Sequence, residues 1–135
     1  MATLRIKDAA AILGVSDDTV RRWVDTGALT CSKDESGRKV IAGDVLADFA
    51  REHAAPPRDP LGVGSSARNR FVGLVTKVTA DQVMSEVQMQ CGPFTVVSLM
   101  STESARQLGL EPGALAVAVI KATNVIIETP AGGAS

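Results

Sequence analysis

The chain has 135 residues, 14 Lys and Arg against 15 Asp and Glu, and a formal net charge of −1. That length admits one domain or two small ones, and the charge balance excludes a protein that coats nucleic acid nonspecifically while leaving room for a DNA reader with a local basic face. Hydrophobic residues make up 45% without any apolar run long enough to span a bilayer, and the first eight residues lack the apolar stretch of a secretory signal, so a cytoplasmic location and no membrane partner are expected.

Lys7–Leu13 is alanine-rich and predicts a helix with Ala9, Ile12 and Leu13 on one side, closed by Gly14, which tolerates a left-handed stop. Ser16 is then a good N-cap for a second helix reaching about Thr26, with Asp17 and Asp18 in the first turn, where the helix dipole favours anions. Val20, Trp23 and Val24 share one face of that helix, and Thr19, Arg21, Arg22 and Asp25 lie off it. Two short helices joined by a tight G-V-S turn are the sequence form of a helix-turn-helix. The stretch from Ala28 to Ile41 reads as a β-hairpin wing around a polar E-S-G turn, with Arg38 and Lys39 just after it. A third helix is expected from Ala42 to about His53, with Val45, Leu46 and Phe49 at core spacing.

The order A-A-x-x-L-G-V-S-x-x-T-V-R-R-W within residues 4–50, followed by G-R-K-V-I, resembles the winged helix-turn-helix of the MerR and excisionase group. The resemblance implies that the second helix enters a major groove of double-stranded DNA and that the wing touches the backbone or minor groove. Carried over residue by residue, it makes Ser16, Thr19, Arg21 and Arg22 expected DNA contacts, joined by Arg38 and Lys39 from the wing. The plain alternative is a helical protein-interaction module whose arginines are solvated. No long dimerisation helix follows the third helix, so pairing of copies is expected from the second half.

Ala54–Ser65 holds three prolines and two glycines in twelve residues, which sustains neither a helix nor a central strand. The expected organisation is a DNA-binding domain over 1–54, a linker over 55–65, a second domain over 66–130 and a tail over 131–135. Beyond the linker the hydrophobic period changes from helical to strand-like. Phe71–Thr79, Gln82–Gln90, Pro93–Ser101, Leu115–Lys121 and Asn124–Glu128 read as five strands, with a short helix at Glu103–Leu108 and a proline turn at Glu111–Gly113. The expected fold class is an α+β two-domain chain, with a winged helix-turn-helix first and a five-stranded OB-like barrel second.

Three short words in this half offer cations and hydroxyls suited to a small dianion: S-A-R-N at Ser66–Asn69, S-T-E-S at Ser101–Ser104 and K-A-T at Lys121–Thr123. In order, and with the text between them, they resemble the molbindin (TOBE/Mop) domain of molybdate- and tungstate-binding proteins. The resemblance implies homo-oligomers, dimers or hexamers, that hold the oxyanion between subunits. Arg68 can give a forked pair of donors and Lys121 a point charge. Ser66, Ser101, Ser104 and Thr123 add hydroxyls, while Ala67 and Ala122 stand in the same words, with backbone amides near Ala122 able to finish the shell. Desolvating a dianion demands such a set. Each cation also has a bland reading, Arg68 paired with Glu103 on the surface and Lys121 as a solvated strand residue.

The two cysteines, Cys31 and Cys91, lie far apart with no C-x-x-C, so neither a metal cation site nor a disulfide is expected. No nucleophile–base arrangement or glycine-rich phosphate loop points to an enzyme. Taken together, the sequence reads as a molybdate- or tungstate-responsive transcriptional regulator of oxyanion uptake or molybdenum-cofactor genes. The runner-up is an oxyanion storage protein.

Overall fold

A computed structural model describes residues 2–130, so the expected tail over 131–135 lies outside the described residues. The chain falls into two compact units, one running through Ala55 and the other spanning Pro56–Glu128. No helix among the described residues is long and apolar enough to cross a membrane.

The first unit is built from short elements in the order β1 (Thr3–Arg5), α1 (Ile6–Leu13), α2 (Asp17–Asp25), β2 (Ser32–Lys33), β3 (Lys39–Ala42) and α3 (Gly43–Glu52). Gly14 ends α1 with φ of 69°, a left-handed conformation that glycine adopts without a Cβ penalty. Two residues later the Ser16 hydroxyl accepts the Thr19 amide at 3.1 Å and caps α2. This pairing of a stop and a start is what makes the turn tight. The wing closes through Asp34, whose carboxylate accepts the backbone amides of Ser36 and Arg38 at 2.9 Å each. A three-stranded antiparallel sheet in the order β1-β3-β2 backs the helices.

The core of this unit gathers Ile6, Ala9, Ala10, Val20, Leu29, Ile41, Leu46 and Phe49. Trp23 packs against it with its ring centroid 4.9 Å from that of Phe49, as its position beside Val20 and Val24 predicts. One expectation fails. Ile12 is 62% exposed and does not join the core. With about 3.6 residues per turn, Ile6, Ala9, Ala10 and Leu13 form the inward stripe and Ile12 falls off its edge.

The second unit is an antiparallel meander, β4 (Asn69–Ala80), β5 (Met84–Cys91) and β6 (Phe94–Ser101), followed by α4 (Thr102–Gln107) and β7 (Leu115–Ile120). The sheet order is β6-β5-β4-β7, so β7 returns to pair with β4 and leaves β6 and β7 as edges. A bulge between Val75 and Lys77 bends β4, which is how a long strand serves two parts of a curled sheet. Val75, Val87, Met89 and Cys91 form the small core. Met89 and Met100 pack into this core or against it, whereas Met84 is 45% exposed.

The expected fifth strand at Asn124–Glu128 is absent from the sheet, which has four strands. After Ile120 the chain makes a 3-10 turn at Ala122–Asn124, and residues 125–130 form neither helix nor strand. The segment has strand composition, yet it pairs with neither open edge of the sheet. Ile126 and Ile127 are left 84% and 81% exposed.

Candidate functional site

Two sets of residues matter, one in each unit. On α2, Arg21 and Arg22 both point to solvent. Arg21 pairs with Asp18 at 3.2 Å within the helix, whereas Arg22 makes no ion pair among the described residues. Ser16 and Thr19 share a 2.9 Å hydroxyl contact, so the Ser16 side chain is engaged in the cap as well as standing at the helix start. Arg38 lies in the wing turn and Lys39 opens β3, both exposed and without an ion pair among the described residues. His53 is the helix cap of α3, and its ring stacks on Phe49 at 3.8 Å between centroids.

In the second unit the register brings two of the three anion words together. Asn69 pairs with Ile120 and Arg70 with Val119, and the Asn69 side-chain amide donates to the Ile120 carbonyl at 3.1 Å. Arg68 and Lys121 are the next residues beyond that last pair, one before β4 and one after β7, and Lys121 keeps an extended backbone (φ −66°, ψ 139°). Neither cation has a carboxylate partner among the described residues, and the alternative pairing of Arg68 with Glu103 does not form. Ser66, Lys121, Ala122 and Thr123 are exposed, while Ala67 is half-buried and gives its amide to Ser65 at 3.1 Å.

The third word lies elsewhere. Ser101 ends β6 opposite Met84, beside the end of β4 where Ala80 pairs with Ser85. The 12 residues of β4 therefore separate it from Arg68 and Lys121, a contour of roughly 36 Å at the usual rise per strand residue. There the Ser101 hydroxyl caps α4 by accepting the Ser104 amide at 3.1 Å and donates to the Ser104 hydroxyl at 2.8 Å. Beneath it, the Ser85 and Thr102 hydroxyls bond at 2.9 Å in a buried pair, and Thr102 donates onward to the Asp81 carbonyl at 2.8 Å. One chain thus holds S-A-R and K-A-T at one end of its sheet and S-T-E-S at the other.

Two residues that sequence reading passes over sit at the cationic end. Asp59, in the stretch expected as linker, accepts the Arg70 Nε at 2.6 Å and the Leu61 amide at 2.9 Å. The Arg70 hydrogen bond, followed by the Leu61 amide, holds its carboxyl below the ordinary aspartate range. No spacing rule links residues 11 apart across a Pro/Gly stretch, so only the fold reveals the pair. Between β6 and β7 runs an apolar groove of about 460 Å³, lined by Val96, Met100, Leu110, Ala116 and Ala118 among others.

Residues 65–127 match the family described as TOBE domain, and residues 3–54 match the family described as helix-turn-helix domain. The molybdenum-pterin-binding protein 3 of Clostridium pasteurianum is 40% identical over 63 residues, which cover 46% of this chain and 93% of that protein. The molybdenum transport protein ModE of Herbaspirillum seropedicae is 32% identical over 76 residues, covering 56% of this chain and 28% of ModE. The transcriptional repressor DcmR of Methylorubrum extorquens is 33% identical over 78 residues, covering 53% and 29%. The chain thus spans less than a third of the length of the latter two relatives. Through its C-terminal half the chain belongs to the TOBE-domain family, with a helix-turn-helix domain preceding it.

Proposed function

We propose that this chain is a one-component transcriptional regulator. Its C-terminal unit binds molybdate or tungstate, and its helix-turn-helix reads an operator of oxyanion-uptake or molybdenum-cofactor genes. The observation that supports this reading is that β4 and β7 end on the pair Asn69–Ile120, so that Arg68 and Lys121, neither in an ion pair among the described residues, directly flank that end of the sheet, with Ser66 and Thr123 each two residues away along the chain. A tetrahedral dianion loses its water only where charge and donors replace it together. The guanidinium supplies two directed donors, the ammonium a compact charge, and the hydroxyls the geometry that separates one oxyanion from another. Relatives named for molybdenum binding and for transcriptional repression support the two halves of the reading.

Assembly follows from the divided site. Two copies set with opposite sheet ends together would bring Ser101 and Ser104 of one copy to the cations of the other. The open edges of β6 and β7 and the bare Val125–Ile127 segment supply apolar surface for a dimer or hexamer. For occupancy to control DNA, the anion must bind one arrangement of the copies better than another.

Calorimetry on the full chain tests the site: molybdate and tungstate bind tightly, sulfate far more weakly, and Arg68→Ala or Lys121→Ala abolishes binding while the oligomer persists. Equal binding of all three anions rejects the sensor reading. Arg21→Ala with Arg22→Ala removes retardation of an upstream DNA fragment. The storage reading draws on one observation, that residues 1–55 carry eight basic against nine acidic side chains. If the wild type retards no fragment at moderate salt, storage replaces regulation.

A further inference from the structure

The shortest ion pair among the described residues has no part in the function proposed above. Arg70 and Asp59 are sheltered, with side-chain exposures of 22% and 33%, whereas the other two ion pairs join residues of one helix three apart and run from 56% to 89%. Pairs as exposed as those contribute little. A sheltered one that ties a pre-strand segment to β4 holds a defined geometry.

That geometry is side-on. Asp59 takes the Nε hydrogen of Arg70 with one oxygen and the Leu61 amide with the other, at 2.6 and 2.9 Å. The two terminal NH2 groups of Arg70 make no hydrogen bond among the described residues. The guanidinium is therefore fixed in orientation while most of its donors stay open. Side chains alternate along a strand, so if the extended backbone of β4 continues one residue before Asn69, Arg68 falls on the same face as Arg70, roughly 7 Å along by the usual rise. The partner of Arg70 across the register is Val119, two residues before Lys121, which follows the end of β7 with an extended backbone. Three cations thus gather at one sheet end around one fixed carboxylate, and their net charge is equal and opposite to that of a tetrahedral dianion.

We propose that Arg70 is a third anion-binding side chain of the oxyanion site, aimed by Asp59 so that its terminal NH2 groups face the bound dianion. The inference rests on the oxyanion reading of Arg68 and Lys121. Asp59 is the positioning residue: its carboxylate selects the guanidinium orientation and its second oxygen anchors the backbone at Leu61. Arg70 adds planar, paired donors that a solvated lysine does not supply.

The test is calorimetric titration of this 135-residue chain with sodium molybdate at constant ionic strength, for wild type, Arg70→Gln, Arg70→Lys and the double variant Asp59→Asn/Arg70→Gln. Arg70→Gln is expected to weaken binding about tenfold, with Arg70→Lys recovering only part of the loss. The double variant stays as weak as Arg70→Gln. Recovery of wild-type affinity in the double variant overturns the proposal, because Arg70→Gln would then have acted only by uncovering the Asp59 carboxylate. Wild-type affinity in Arg70→Gln overturns it as well. Absence of molybdate binding by the folded wild type rejects the underlying site reading, and this inference with it.

Discussion

The two units of this chain differ in whether one copy completes them. In the first, Ile6, Val20, Leu29, Ile41, Leu46 and Phe49 close a core, and Ile12 is the one large hydrophobic among the described residues up to Ala55 that is left exposed. In the second, a small core coexists with Phe94, Val97, Leu99, Leu108, Leu115, Ile126 and Ile127, each at least 55% exposed. The cause is topological. Short helices wrapped around a small sheet can bury a stripe from every side, whereas a four-stranded sheet with two open edges covers its residues only partly. One unit is finished by its own residues. The other carries the surface expected of a piece of an assembly.

Ile126→Lys with Ile127→Lys is expected to dissociate the proposed oligomer to monomers, read as mass by light scattering, without shifting unfolding of the first unit. Trp23 is the only tryptophan and lies in the first unit, so its fluorescence follows that unit alone. A variant that keeps the wild-type mass removes the assigned role of the 125–127 segment. Next in size is Phe49→Ala, which empties a buried ring position at 5% exposure and is expected to destabilise the first unit by about 3–5 kcal/mol. Denaturant titration by Trp23 fluorescence reads the loss, while molybdate affinity, if the site is confined to the second unit, stays within about twofold.

Gly73→Ala probes the β4–β5 pairing of the second unit. A Cβ there would lie 2.7 Å from the Cys91 Sγ and closer still to the Gln90 carbonyl oxygen, a backbone atom held in the β4–β5 pairing. The expected cost is about 1–3 kcal/mol, seen as earlier loss of strand circular dichroism with Trp23 unfolding unchanged. Unchanged stability would mean that β4 and β5 separate more easily than their register implies. The smallest effect is assigned to Ile12→Ser: a residue off the core stripe should change stability by no more than about 0.5 kcal/mol. A loss several times larger would place Ile12 in an interface.

Much of the first unit was legible because its signals are local. Gly14 and Ser16 stop one helix and start the next within three residues, and Val20, Trp23 and Val24 mark the buried face of α2 by period alone. What escaped was the placement of Ile12 and the strand β1, three residues long, whose only meaning is its pairing with β3 through Thr3 and Ala42. In the second unit, four strands and α4 follow from alternation and turn residues, within about two residues at each end. The fifth strand failed because strand composition in Val125–Ile127 permits pairing without directing the segment, after the turn at Ala122–Asn124, to either open edge of the sheet.

The anion words show the same division. Their residue types and hydroxyl content are written in the sequence, and so is the TOBE resemblance. Which words come near each other depends on the β4–β7 register, which brings the ends that carry Arg68 and Lys121 together through Asn69 and Ile120 and leaves Ser101 at the far end of β4. The Asp59–Arg70 pair was likewise invisible before folding. Caps, turns and periods depend on neighbours within about four positions, so the chain alone determined them. Register and coverage depend on partners tens of residues away, so only the tertiary structure could decide where the charges gather and which hydrophobic faces stay open.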